Sequence, residues 1–200
     1  LHGGIHHGFR VAMDWIDSEK LEWPACVEAL SGYDGILVPG GFGKRGVEGM
    51  LHAIRFAREH KVPYFGICLG MQVLLERSEE NGGVAALGLI PGEVIRFVDP
   101  PMDAVERLKV PHMGWTRLRQ SRSHAVCAGV PDDSWFYFVH SYHANPVNPE
   151  HTLGESDYTR TFASAVARDN IVGFQFHPEK SQSVGLRLLA NFAAWDGDGR

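Results

Sequence analysis

The stretch Gly66-Ile67-Cys68-Leu69-Gly70-Met71-Gln72 constrains this chain more than any other. Apolar residues lead into it and glycines flank the cysteine on both sides. This is the pattern of a tight strand-to-helix turn that lifts one side chain above the C-terminal edge of a sheet. Met71, Leu74 and Leu75 follow at helical spacing, so a helix is expected after the cysteine, with its N-terminal dipole favouring the thiolate. Much further along, an apolar run delivers His177-Pro178-Glu179. A cysteine attacks as thiolate, so it needs an imidazole, and the imidazole needs an acceptor that fixes its tautomer. A residue before proline favours extended backbone, in which positions i and i+2 share a side, so Glu179 can lie beside His177. Read alone, Cys68 is equally a small buried apolar side chain. With the elbow and the His-Pro-Glu stretch, Cys68, His177 and Glu179 become a candidate triad. An acyl-transfer site also needs donors for an oxyanion, and the Gly40-Gly41 loop and the Leu69 amide can supply them.

The 200 residues, 44% hydrophobic and 22% charged, suit one core and a single domain over residues 1–200. A net charge of −5 with scattered positive residues gives no basic stripe for nucleic acid, and no apolar run is long enough to span a membrane. Cys26, Cys68 and Cys127 form no disulfide framework and no leader stretch is read at the start, so a reducing, cytoplasmic setting is expected. His2, His6 and His7 lack the companion ligands of a defined site, so neither metal nor cofactor is expected.

Alternation over residues 9–16 reads as a strand and residues 18–30 as a helix. Tyr33 to Val38 is a buried strand that breaks at Pro39-Gly40-Gly41-Phe42-Gly43. Val47 to His60 has helical periodicity and Val62 to Ile67 is again strand, so a parallel right-handed crossover is expected. Past Gly82-Gly83, strand-like runs at Glu93–Val98, Lys109–Trp115, His124–Cys127, Trp135–Val139 and Thr161–Ala167 suggest antiparallel additions. Ile171 to Phe176 is a further buried strand, and Gly185 to Trp195 an amphipathic closing helix. Tyr137-Phe138-Val139-His140-Ser141-Tyr142 reads either as a pocket wall or as a plain edge strand.

The elbow and the His-Pro-Glu stretch together resemble the triad class (class I) of glutamine amidotransferases, and the resemblance extends over essentially the whole chain. Up to about Gln72 the chain resembles the glutaminase domain of CTP synthase, in Trp15-Ile16-Asp17-Ser18-Glu19 and in Asp34-Gly35-Ile36-Leu37-Val38-Pro39-Gly40-Gly41-Phe42-Gly43-Lys44-Arg45-Gly46-Val47-Glu48-Gly49. From about Gly66 it resembles the glutaminase subunit of imidazole glycerol phosphate synthase, in Leu87-Gly88-Leu89-Ile90-Pro91-Gly92, Pro111-His112-Met113-Gly114-Trp115, Tyr137 to Tyr142 and Gln175 to Gln182. The two likenesses meet at the elbow.

The resemblance implies an α/β, flavodoxin-like, doubly wound and mostly parallel sheet with appended antiparallel strands. Both families begin with a strand and helix that have no counterpart here, so the sheet is expected to lack them. It implies L-glutamine as substrate, Cys68 as nucleophile, His177 as base then acid, Glu179 as its orienter, and Gly41 and Leu69 as oxyanion donors. Gln72, Glu80, Ser141 and Tyr142 would hold the glutamine head group. Ammonia would pass to a cyclase subunit docked through Lys180, Trp115 and His112, in histidine biosynthesis. Same-chemistry alternatives are a CTP synthase glutaminase domain and a thiol hydrolase of γ-glutamyl compounds; an inactive interaction module is a third.

Overall fold

A computed structural model describes residues 8, 10–41, 46–99 and 108–199. His2, His6 and His7, Phe9 at the start of the first expected strand, and residues 42–45 of the glycine loop lie outside these. In chain order the helices are α1 (Cys26–Leu30), α2 (Val47–His60), α3 (Leu69–Gln72) and α4 (Gln182–Ala194). The strands are β1 (Ile36–Val38), β2 (Tyr64–Ile67), β3 (Arg77–Ser78), β4 (Val84–Ala85), β5 (Gly92–Arg96), β6 (His112–Gln120), β7 (Ser134–His140), β8 (Tyr142–Pro146), β9 (Thr152–Asp157), β10 (Thr161–Arg168) and β11 (Ile171–Phe174).

The expected crossover is present: β1, α2 and β2 succeed one another, and β2 runs parallel to β1 on one side and to β11 on the other. The sheet continues through β10, β8, β5, β3 and β4, with antiparallel pairing of β10 to β11 and to β8, and of β8 to β5. The ribbon β6–β7 joins it through β9. Every residue of β2 is buried because both faces are covered. Tyr64 joins Ile54, Phe56 and Leu74 in a core under α2, whereas Phe65 and Ile67 join Phe174, Phe176 and Leu188 in a core under α4. That division is the doubly wound α/β arrangement.

Several elements differ from expectation for local reasons. Residues 10–17 join no ladder, and Trp15 is 89% exposed. The helix expected over 18–30 is split into a 3-10 turn, Ser18–Lys20, and α1, because Pro24 between them offers no amide hydrogen. The run His124–Cys127 is not a strand: Ala125–Cys127 form a 3-10 turn capped by His124, whose ring accepts from the Val126 amide at 3.2 Å. The helix after the elbow stops at Gln72. The carbonyls of Val73, Leu74 and Leu75 accept instead from the amides of Leu87, Ile90 and Gly88, so apolar spacing there reflects burial and not helix.

Four buried histidines add a pH dependence. Burial pushes His112 down to about 4, His140 to about 3 and His143 to about 4. Burial, with help from Arg122, does the same to His124, to about 4. Below the ordinary histidine value the unfolded chain therefore binds more protons than the folded one. Their contribution is intact above about pH 6.5 and is lost as pH falls toward 4. Urea midpoints should drop steeply from about pH 7 to 5, and His140→Asn should flatten that slope.

The elbow itself rests on close backbone approach. A Cβ on Gly66 would run into the Gly70 carbonyl oxygen, while one on Gly41 would meet nothing within 4 Å. Gly66→Ala should cost about 2–3 kcal/mol in urea unfolding, and Gly41→Ala should unfold like the parent.

Candidate active site

Cys68 has φ 53° and ψ −105°, a conformation that a non-glycine residue holds only when its surroundings enforce it. Its amide donates to the Phe174 carbonyl at 2.8 Å, and its own carbonyl takes the amides of Met71 and Gln72 at 3.0 Å each. The β2–β11 pair and the single turn of α3 thus clamp the thiol between them. A hypothetical Cβ on Gly40 would lie 3.3 Å from the Cys68 Cβ, 3.1 Å from His177 Cε1 and 3.8 Å from His177 Nε2. The glycine loop, the cysteine and the imidazole therefore converge on one point, and only a residue without a side chain leaves it open.

His177 follows β11 with extended backbone, its amide donating to the Tyr137 carbonyl at 2.9 Å. Glu179 is not on extended chain, as the proline argument expects, but within the 3-10 turn Pro178–Lys180, which curls it back toward the ring. Its Oε1 accepts from His177 Nδ1 at 2.8 Å. A carboxylate can only accept, so Nδ1 carries the hydrogen and Nε2 is left with its lone pair. That Nε2 is buried and has no partner. Burial is the largest single influence on Glu179 and raises it, but its hydrogen bonds with His177 and with its own backbone amide, together with the charges of His177 and Lys180, hold the carboxyl below its usual range.

Burial pushes the Cys68 thiol up to about 11, against the opposing pull of the Leu69 amide and the Gln175 side chain. The charge of Glu80 also raises it, which places that carboxylate within electrostatic reach of the thiol. What α3 contributes is the amide of its first residue, Leu69, which lowers the thiol by less than burial raises it. Gln72 is buried and its amide nitrogen donates to the Tyr142 carbonyl and to Gln175 Oε1, at 3.0 Å each. Tyr142 thus meets this network through its backbone, and Ser141 uses its carbonyl to accept the Phe97 amide at 3.0 Å. Gly41 borders open space next to Gly40.

Gly40, read from the sequence only as part of the oxyanion loop, packs between thiol and imidazole. Gln175 was not singled out for the site from the sequence. Gln175 donates to Cys68 Sγ at 3.6 Å; its signal was a lone polar residue in an apolar run. Of the expected docking residues, Trp115 and Lys180 border Tyr137, with ring centroids 5.8 Å apart for the tryptophan and Nζ 5.9 Å from the ring for the lysine. An open depression of about 610 Å³, lined by Trp115, Trp135, Ser181 and Val184, adjoins them. His112 is corrected: it is 1% exposed and bonded to His140 and Thr116, because the pleat of β6 turns it inward while Trp115 faces out. Among the described residues no helix is long and apolar enough to cross a membrane.

A doubly wound α/β sheet with a thiol on a strained elbow, opposite an acid-oriented imidazole, is the architecture of a thiol-dependent acyl-transfer protein. Residues 1–194 match the family described as glutamine amidotransferase class-I, and the chain belongs to that family. It is 58% identical over 136 residues to imidazole glycerol phosphate synthase subunit HisH of Methylococcus capsulatus, covering 67% of this chain and 63% of that subunit, so less than two-thirds of the relative's length is matched. The HisH subunit of Chromobacterium violaceum is 53% identical over 150 residues, 75% of this chain and 70% of that one. Among solved structures, the glutaminase domain of Trypanosoma brucei CTP synthase, with bound acivicin, superposes with a TM-score of 0.70 at 25% identity, covering 98% of this chain and 85% of that one.

The raised thiol predicts its own reactivity. Below about 11, alkylation of Cys68 by a neutral reagent should climb with pH, about tenfold per unit, because only the thiolate reacts. Cys127, pushed by burial to about 12, should lag behind it in peptide-mapped labelling.

Proposed function

We propose that this chain hydrolyses L-glutamine to glutamate and ammonia as the glutaminase subunit of an imidazole glycerol phosphate synthase, in histidine biosynthesis. The observation that carries the chemistry is the 2.8 Å bond from His177 Nδ1 to Glu179, which leaves an unpartnered Nε2 beside the Cys68 elbow. The HisH relatives support the pathway.

In this reading His177 Nε2 takes the thiol proton and Sγ attacks the side-chain amide carbon of glutamine. The tetrahedral oxyanion is met by amides of the Gly40-Gly41 loop and Leu69. His177 then returns the proton to the departing ammonia, leaving a glutamyl thioester. Water, activated by the same nitrogen, releases glutamate and restores the thiol. Glu80 supplies a carboxylate for the substrate ammonium. Both amide hydrogens of Gln72 are committed, so its oxygen is the end left to accept from the substrate. Ser141 and Tyr142 complete the head-group wall.

The partner is a cyclase subunit that receives ammonia before it escapes to water, docked on the face bearing Trp115 and Lys180. The whole chain is read as one amidotransferase domain whose likeness changes near residues 66–72. The three unpaired cysteines suit a reducing cytoplasm.

Cys68→Ser should abolish glutamine hydrolysis. Acivicin, found with the trypanosomal domain, should label Cys68 and no other cysteine on peptide mapping. Glu179→Gln should retain labelling but slow turnover by about 10²-fold or more. With a cyclase subunit added, Lys180→Ala should lose the stimulation while keeping the basal rate. Unlabelled Cys68 in folded protein would sink the enzyme reading, and stimulation unchanged in Lys180→Ala would sink the docking assignment.

A further inference from the structure

The buried amides beside the thiol are locked in a single orientation by a backbone carbonyl. The Tyr142 carbonyl can only accept, and it takes His140 Nδ1 at 2.8 Å and Gln72 Nε2 at 3.0 Å. The side-chain atom of Gln72 that faces it must therefore be the NH₂ group. The same NH₂ reaches Gln175 at 3.0 Å, so the Gln175 atom facing it must be the acceptor oxygen. That leaves the Gln175 NH₂ pointed at Cys68 Sγ, 3.6 Å away.

The histidine side of the carbonyl obeys the same logic. His140 Nδ1 donates to Tyr142, so His140 Nε2 must accept, from His112 Nδ1 at 3.0 Å. His112 Nε2 then accepts from the Thr116 hydroxyl at 2.8 Å. Each ring is neutral and fixed in one tautomer, in keeping with the burial that pushes both well below the ordinary histidine value.

Gln175 is wholly buried and its backbone amide is tied to the Ser164 carbonyl at 2.9 Å. A flip that turned its oxygen toward sulfur would set NH₂ against NH₂ at Gln72, or carbonyl against carbonyl at Tyr142. An amide N–H held against sulfur favours the charged form, because a thiolate accepts a hydrogen bond much better than a thiol does.

We propose that Gln175 stabilises the Cys68 thiolate through an N–H whose direction is imposed by Gln72 and the Tyr142 carbonyl. This rests on the reading of Cys68 as nucleophile. The relay gives Gln72 a part in setting thiol reactivity besides its contact with substrate, and it offsets some of the burial that keeps the thiol protonated.

The test is the pH profile of Cys68 alkylation by iodoacetamide in the full chain, followed by peptide mapping, for the parent, Gln175→Met and Gln72→Met. Methionine keeps the length and apolar volume but offers no donor. Gln175→Met should shift the profile to higher pH and slow alkylation about tenfold at any pH on the rising limb. Gln72→Met keeps the Gln175 amide but unlocks it, and should shift the profile the same way by less. It carries the test if Gln175→Met does not fold. Profiles superimposed on the parent in the folded variants would overturn the proposal. A parent whose Cys68 resists alkylation when folded but reacts in urea would overturn the nucleophile reading, and this proposal with it.

Discussion

The backbone at the elbow passes closer to its neighbours than a side chain permits, and the rest of the site inherits its geometry from that approach. A Cβ on Gly70 would sit 2.8 Å from the Val38 carbonyl oxygen, as one on Gly66 would collide with Gly70 itself. With both positions bare, β2 turns within one residue into α3, and Cys68 takes the strain at φ 53°. The ladders with β1 and β11 hold β2 from both sides up to Gly66 and Ile67, and the Cys68 amide is tied to the Phe174 carbonyl. The same β11 leads directly to Gln175 and His177. One strand pair thus places Cys68, Gln175 and His177, and the registers Gly66 to Gly173 and Ile67 to Phe174 leave them no freedom to slide.

Burial sets the electrostatic problem that these residues answer. Removing the thiol from water is the largest influence on it and raises it to about 11, and the carboxylates of Glu80 and Glu179 push the same way. Two N–H donors oppose this without bringing any net positive charge into the pocket, from Leu69 and Gln175. For the proposed substrate, which carries both an ammonium and a carboxylate, that choice is an advantage. A fixed cation beside sulfur would depress the thiol more strongly, but it would also repel the ammonium assigned to Glu80 in the proposed function. In that reading proton removal is left to His177, whose ring is aimed by Glu179 and whose Nε2 has no competing partner.

The candidate site was legible in the sequence to the extent that its placement depends on short range. Gly66-Ile67-Cys68-Leu69-Gly70 specifies its own turn within a few residues, and α2, β2 and β11 follow from periodicity. His177-Pro178-Glu179 was legible as a set of side chains but not as backbone, since a 3-10 turn and not extended chain brings Glu179 to the ring. Elements decided by distant partners were not legible. The segment after Cys68 has helical spacing, yet its carbonyls are claimed by residues 87–90, far along the chain. His112 sits in the same strand as Trp115 and differs only in which way the pleat turns it, which no local pattern specifies until the partner β7 is known. β8 contains Asn145-Pro146 and β9 contains Gly154, residues that read as turns, and both are strands because they pair with β5 and β10. Gln175 shows the same limit in reverse. One polar residue in an apolar run signals a buried hydrogen bond, but its partners, Cys68 and Gln72, lie across the sheet.

Tyr137 joins the outer face to the triad. Its carbonyl accepts the His177 amide at 2.9 Å, and its amide donates to Ser181 Oγ at 3.0 Å, so its backbone braces the turn that carries Glu179. Its ring points the other way, edge-on to Trp115 and beneath Lys180. Ser181 Oγ in turn donates to the His177 carbonyl at 2.6 Å and closes the loop. The surface and the site therefore share a residue and do not merely lie near each other. The Tyr137 backbone is held further by the ladder with β6, where it lies opposite Trp115. One residue thus contributes its ring to the outer face and its backbone to the seat of the imidazole, while the Tyr142 carbonyl, Gln72 and Gln175 form a separate hydrogen-bonded chain that ends at the sulfur.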